Sequence, residues 1–290
     1  MIMFDIFMKT LTVSIVIPVY NEELHLESCL QSIADQTVSP FEVIVVDNNS
    51  TDASVEIARR FPFVTLLSES RQGLIATRNT GFAAASGDIL ARINADAELS
   101  SDWVARLQHD FRIWPQAAAV AGVGEVPISD TNTDRRSKIG SLVYLLDCEA
   151  YFGVPIMWGA NMAMRRSAWE KIKDDAQLDD SLVHEDQDLS LCLAARGLEV
   201  RRDSRLLMTT SEISYHYLPK LAEYMRRRWA TRRLHEQLGS FDRLTFRGLQ
   251  PWQCHWRRFA TAIPMAIFYI SCPLSYPAAR RRERLASERV

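Results

Sequence analysis

Two groups of carboxylates fall where chemistry could use them. Asp96 closes the cluster Asn94-Ala95-Asp96, directly after the apolar run that ends at Ile93. A carboxylate leaving the end of a strand can hold a divalent cation, and that cation can bridge phosphate oxygens, because hard cations favour oxygen ligands. Glu185, Asp186 and Asp188 open a second segment, with Leu189, Cys192 and Leu193 following as its apolar face. A carboxylate there can take a proton from a hydroxyl as general base. Both groups also have ordinary readings, Asp96 as a turn or cap before Leu99-Ser100-Ser101 and the acidic trio as the complement of a helix amino terminus. The stretch from Gly153 to Asn161 adds glycine and aromatic residues just upstream, as a pocket with close backbone approach needs.

The elements that must position these groups can be read from hydrophobic periodicity. Residues 11–19 form a β-branched run ending in Tyr20-Asn21-Glu22, and Leu26, Cys29, Leu30 and Ile33 then recur at helical spacing. A second strand over 41–46 ends in Asp47-Asn48-Asn49, and the helix after it stops at Pro62. A third strand (64–67), a helix (74–85) and a fourth strand (88–93) complete a strand–helix alternation, which implies a mostly parallel α/β sheet flanked by helices. In such sheets ligands bind beyond the carboxyl ends of the strands. Three of the four strands end in polar clusters, so one site is expected there. Further on, a helix spans about 102–114, residues 129–138 read as a mobile loop, and 158–161 and 184–188 each read as a loop-to-helix transition.

The chain has 290 residues and a formal net charge of -2, so no global field argues for nucleic acid. Its five cysteines lie far apart without zinc-ligand spacing or a disulfide framework, which fits a reducing cytosol. The opening MIMFDIFMK carries Asp5 where a signal peptide wants positive charge, and reads as a packing extension.

Six segments in order carry a resemblance: VSIVIPVYNEE, FEVIVVDNNSTD, RQGLIATRNTGFAAASGDIL, INADAEL, WGANMAMRRSAW and HEDQDLSLCLAARG, within residues 11–217. Together they resemble the family 2 glycosyltransferases, inverting enzymes of the GT-A fold. The resemblance implies a nucleotide-sugar donor of UDP or GDP type, a glycan or lipid-linked glycan acceptor, and Mg or Mn as cofactor. It assigns Pro18, Tyr20, Glu22, Asp47, Asn48, Arg71, Gly73 and Arg78 to the donor nucleotide. Asn94 and Asp96 take the place of the DxD element, with Asp96 as metal ligand and Asn94 reduced to hydrogen bonding. Asp186 becomes the catalytic base, Glu185 orients the acceptor or a neighbouring arginine, Trp158 and Asn161 line the acceptor side, and His216 stands where a third metal ligand can lie. Asn48 and Asn94 each replace an aspartate of the family pattern, which leaves a nucleotide-binding partner subunit without activity as the competing reading.

The GT-A domain is expected over 1–217, with a donor half to about residue 100 and an acceptor and catalytic half after it. Residues 218–290 form an Arg-rich helical extension. Met225–Trp229 resembles the QxxRW element of processive polysaccharide synthases but lacks its Gln, and reads rather as a solvated basic face near a membrane. The uncharged run 259–279 lies between Arg257-Arg258 and Arg280-Arg281-Arg282 and is broken by Pro264, Pro273 and Pro277, so 255–290 suits peripheral contact with anionic headgroups better than a span. That places the enzyme in the cytoplasm, at the inner face of the cell membrane.

Overall fold

Alternation along β1 (Val13–Val19) decides the two layers of the molecule. Val13, Ile15, Ile17 and Val19 pack on one face with α1 (Leu26–Ala34), α2 (Ser54–Arg59) and α4 (Trp103–Ile113). Val16 points to the other face, where α3 (Leu74–Ala84), α6 (Arg166–Ile172) and α7 (Glu185–Ala195) supply Phe82, Trp169, Leu189 and Leu193. Period-two alternation with helices on both sides is the physical content of the α/β expectation. Helix α3 lies so close to β1 that a Cβ on Gly81 would come within 2.2 Å of Val16 Cγ1.

The computed structural model describes residues 10–125, 127–129, 132–133, 135–210 and 218–239. The remaining strands are β2 (Glu42–Asp47), β3 (Val64–Ser68), β4 (Ile89–Ile93), β5 (Ala97–Leu99), β6 (Ala117–Glu125), the short pair β7 (Pro127–Ser129) and β8 (Asn132–Thr133), β9 (Asn161–Arg165) and β10 (Glu199–Thr210). The main sheet has the order β3-β2-β1-β4-β9-β6-β10-β5. Six of these strands run one way, while β9 and β5 run against them. The sheet is therefore mixed. Residues 158–161, expected to lead into a helix, lead instead into β9, whose Met162 and Met164 are wedged into the core between β4 and β6.

The strand order reverses between β1 and β4, and register opens a gap there. Pairing of β1 with β4 ends at Val16↔Arg92, whereas pairing with β2 continues to Val19↔Asp47. Pro18, which has no N–H to give, sits beyond the last β4 partner, where a ladder donor is not needed.

A third apolar cluster joins α5 (Arg135–Phe152) and α7 through Leu145, Cys148, Phe152 and Leu191. The last described helix, α8 (Leu218–Gln237), packs on α7 and pairs with α5 through Arg228 and Asp147. Arg228, expected on a solvated face, is 4% exposed, paired with Asp147 of α5 and stacked 4.3 Å from the Tyr151 ring centroid. Arg226 and Trp229 do face solvent. Among the described residues, no helix is long and apolar enough to cross a membrane. Residues 129–138, expected as a mobile loop, include β8 and the start of α5; residues 130, 131 and 134, His216 and 255–290 lie outside what is described.

Candidate active site

The gap between β1 and β4 is a cleft of about 380 Å³. Pro18, Tyr20 and Glu22 come to it from the end of β1, Asn48 from β2, Gly73 and Thr77 from the start of α3, and Arg92, Asn94 and Asp96 from β4. This is the switch point of the sheet, where backbone groups of the strand ends are free to meet a ligand.

The walls are held by hydrogen bonds between loops. Asn21 and Asn49 adopt positive φ (53° and 64°), a conformation Asn tolerates better than most residues. Asn21 Oδ1 accepts from Thr51 N at 2.8 Å, and Glu23 N donates to Asp52 Oδ2 at 3.0 Å, so the β1 and β2 loops are laced together. Asn48 uses its whole amide: Nδ2 donates to the carbonyls of Glu69 (2.8 Å) and Arg71 (2.9 Å), and Oδ1 accepts from Gly73 N (2.8 Å). A carboxylate could not donate to those carbonyls, which gives a physical reason for asparagine at this position. Gly73 has φ 137°, and a Cβ there would lie 2.2 Å from Asp180 Oδ2. Asp180, on the loop before α7, accepts from Ile75 N at 3.1 Å and so satisfies a free donor at the start of α3.

On the far side of Arg92 stands the amino terminus of α7. Asp186 is half-buried, and its Oδ2 accepts from Gly159 N at 3.0 Å while Oδ1 accepts from Gln187 N at 2.8 Å. Burial, reinforced by the neighbouring Glu185 carboxylate, pushes the Asp186 carboxyl up to about 6. Glu185 is buried between two guanidiniums, with Oε1 3.5 Å from Arg78 Nε and Oε2 3.8 Å from Arg92 Nη1. Arg92, Glu185 and Asp186 converge on Gly159, whose absent Cβ would lie 2.5 Å from Arg92 Nη1, 3.2 Å from Glu185 Oε2 and 3.5 Å from Asp186 Cβ. Arg92 thus links the cleft wall bearing Asp96 to the helix bearing Asp186.

Not every expected residue reaches the cleft. Asn161 is 0% exposed, donates to the carbonyls of Val123 and Leu206, and accepts from Trp103 Nε1, so it ties β6, β10 and α4 together and has nothing left for an acceptor. Trp158 is half-buried against Gly124, where a Cβ would meet its ring at 2.2 Å. Arg78 is fully enclosed, its guanidinium 5.2 Å from the Trp169 ring centroid, and acts on Glu185 rather than on the cleft. Asp47 turns its Oδ1 to Ser50 N (3.2 Å), and Arg71 is exposed beside the cleft, giving its carbonyl to Asn48. Sequence reading missed Arg92 and Asp180. The signal for Arg92 was a lone cation inside the apolar run Ile89–Ile93; Asp180 had none.

Among the described residues, two places offer ligand atoms for a metal. Asp96 is half-buried on the cleft wall and accepts from Thr210 Oγ1 at 2.8 Å. Its negative field combines with those of Glu98 and Glu22: besides burial, these three carboxylates raise the Cys29 thiol. A concentration of carboxylate charge at a polar cleft suits a hard cation. Asp188, Cys192 and His235 also place one ligand atom each within 4.8 Å of one another. All three are buried, with His235 Nε2 2.8 Å from Asp188 Oδ1, Asp188 Oδ2 taken by Gln177 N, and the Cys192 thiol pushed up by burial. That group fastens α8 to α7.

The family model for Glycosyl transferase family 2 matches residues 14–173. Glycosyltransferase AglE of Haloferax volcanii is 42% identical over 101 residues, 32% of this chain and 33% of that protein. Putative glycosyltransferase EpsH of Bacillus subtilis is 32% identical over 133 residues, 42% of this chain and 39% of the other. The matches therefore span well under half of these relatives. Among solved structures, the mannosyltransferase PcManGT of Pyrobaculum calidifontis, in complex with GDP-Man and Mn2+, aligns over 96% of this chain and 80% of its own at 21% identity, with a TM-score of 0.62. Glucosyl-3-phosphoglycerate synthase of Mycobacterium tuberculosis, in complex with Mn2+, UDP and phosphoglyceric acid, aligns over 79% of each chain at 20% identity, with a TM-score of 0.57.

Proposed function

The chain belongs to glycosyl transferase family 2 and has the GT-A fold, and from that premise we propose that it transfers a sugar, with inversion, from a UDP- or GDP-type donor to a hydroxyl acceptor. The observation that carries the proposal is Asp186. Its carboxylate is oriented by Gly159 N, raised toward neutrality, and joined through Arg92 to a cleft at the sheet's switch point. A base whose pKa lies just below working pH is ionised yet still strong enough to accept a proton.

In this mechanism Asp186 takes the proton of the acceptor hydroxyl as that oxygen bonds to the anomeric carbon. The bond from that carbon to the diphosphate oxygen breaks on the opposite face, and the nucleoside diphosphate leaves with the electron pair. Glu185, held by Arg78 and Arg92, keeps the α7 terminus in place. Tyr20, Glu22 and Asn48 form the nucleotide end of the cleft, with Asp47 and Arg71 behind it. Asp96 would hold Mg or Mn, which when bound supplies positive charge to the departing diphosphate, and Asn94 is left to hydrogen-bond. The carboxylate field around Asp96 supports that assignment, as do the Mn2+ complexes of the two structural neighbours.

The acceptor is a glycan or lipid-linked glycan, in cell-surface polysaccharide or glycolipid assembly at the inner face of the membrane. Removal of residues 255–290 is expected to shift the protein from the membrane fraction to the supernatant, and unchanged partitioning would refute peripheral contact through that segment. The transfer itself is tested by donor turnover over a panel of UDP- and GDP-sugars with and without Mn2+. Turnover by wild type that is lost in Asp186→Asn is expected. Nucleotide binding without turnover in either protein would favour the inactive partner subunit.

A further inference from the structure

Arg92 holds Glu185 only at long range and leaves donor capacity unused. It is 5% exposed, yet it lines the cleft. Its Nε is buried without a hydrogen-bond partner among the described residues, and its Nη1 lies 3.8 Å from Glu185 Oε2, beyond hydrogen-bond reach. Glu185 is also shared with Arg78. The other nearby carboxylate, Asp186, has turned its oxygens to the backbone N–H groups of Gly159 and Gln187. A guanidinium taken out of water without an acceptor is costly, so its retention in a cleft floor points to an acceptor that arrives with a ligand. Asn94, two residues further along the same strand end, carries no charge to neutralise it.

We infer that Arg92 recognises an oxyanion of the bound substrate, donating from its guanidinium fork to a phosphate or carboxylate oxygen. The fork matches the planar spacing of such oxygens. Two sources fit one chemistry: the diphosphate of the donor, or the carboxylate of an acidic donor sugar. Arg92 stands between Asp96 and the Gly159–Asp186 contact, so either oxyanion would be held beside the reacting carbon. The inference rests on the transferase reading but concerns which substrates the cleft accepts.

Calorimetric titration of wild type, Arg92→Gln and Arg92→Lys with UDP, GDP, UDP-glucose, GDP-mannose and UDP-glucuronate, all with Mn2+, separates the outcomes. A diphosphate contact predicts that Arg92→Gln weakens every probe that wild type binds at least tenfold, with partial recovery in Arg92→Lys. A sugar-carboxylate contact predicts that only UDP-glucuronate weakens at least tenfold. Arg92→Gln binding all probes within twofold of wild type overturns the inference while leaving the transferase reading intact. Wild type binding none of them takes both down. Should Arg92→Gln fail to fold, Gly159→Ala serves instead, because its methyl group would displace Arg92 Nη1 without removing the charge. The same tenfold and twofold limits then apply.

Discussion

Asp186 costs the fold something that the proposed chemistry needs. An aspartate whose pKa rises on folding from its ordinary 3.8 to about 6 favours the native state only while protonated, so that contribution is lost as pH rises from about 4 through 6. At pH 7 the penalty is on the order of 2–3 kcal/mol for a shift of about two units. Asp186→Asn keeps an oxygen for Gly159 N and removes the charge. It is therefore expected to raise the thermal midpoint at pH 7 while lowering turnover by about two to four orders of magnitude, the usual worth of a general base. In wild type the pH–rate profile should climb through about pH 6 and level off above it; a flat profile between pH 5 and 7 would remove Asp186 as base. Asn48→Asp should cost about 1–3 kcal/mol in a urea titration, because two backbone carbonyls lose their donor and face a charge. That Asp96 follows a strand end and Asp186 opens a helix was legible from the runs of apolar residues beside them. Asn161 misled, since its position in a motif cannot say that all its polar atoms are spent on β6, β10 and Trp103.

At the scale of elements, α8 holds α7 from behind. Thr231 Oγ1 accepts from His184 N, Tyr224 O lies 2.9 Å from His184 Nε2, and Gln187 Nε2 donates to Tyr224 OH at 2.7 Å. Burial pushes His184 down to about 4, so the folded state prefers the neutral ring. Its stabilising share is complete above about pH 6.5 and is lost as pH falls from there toward 4. The α7–α8 contact should accordingly loosen in that window, read as rising amide exchange at 184–188 before global unfolding. Arg228→Met is expected to cost about 3–5 kcal/mol, since it strands Asp147 in a buried site. The β-α-β-α start was readable from period and turn residues. Helix α8 was readable as a helix, but its docking was not, because a run of arginines looks solvated until a buried carboxylate and Tyr151 are brought beneath it.

At the scale of the whole molecule, the proposed donor and base-bearing halves share one sheet. Asp180 from the later half accepts from α3 of the earlier one, and Arg92 reaches from β4 to Glu185. Gly73→Ala should disturb both, through the strain of φ 137° and the collision with Asp180, and is expected to lower the thermal midpoint and weaken nucleotide binding together. Strand β9, which comes late in the chain, fills the place between β4 and β6. During synthesis the exposed side of β4 has no lasting neighbour until Asn161–Arg165 has left the ribosome. A nascent chain halted before that point should bind chaperones and resist compaction, and two separately produced fragments cut between β6 and β9 should gain solubility only when made in the same cell.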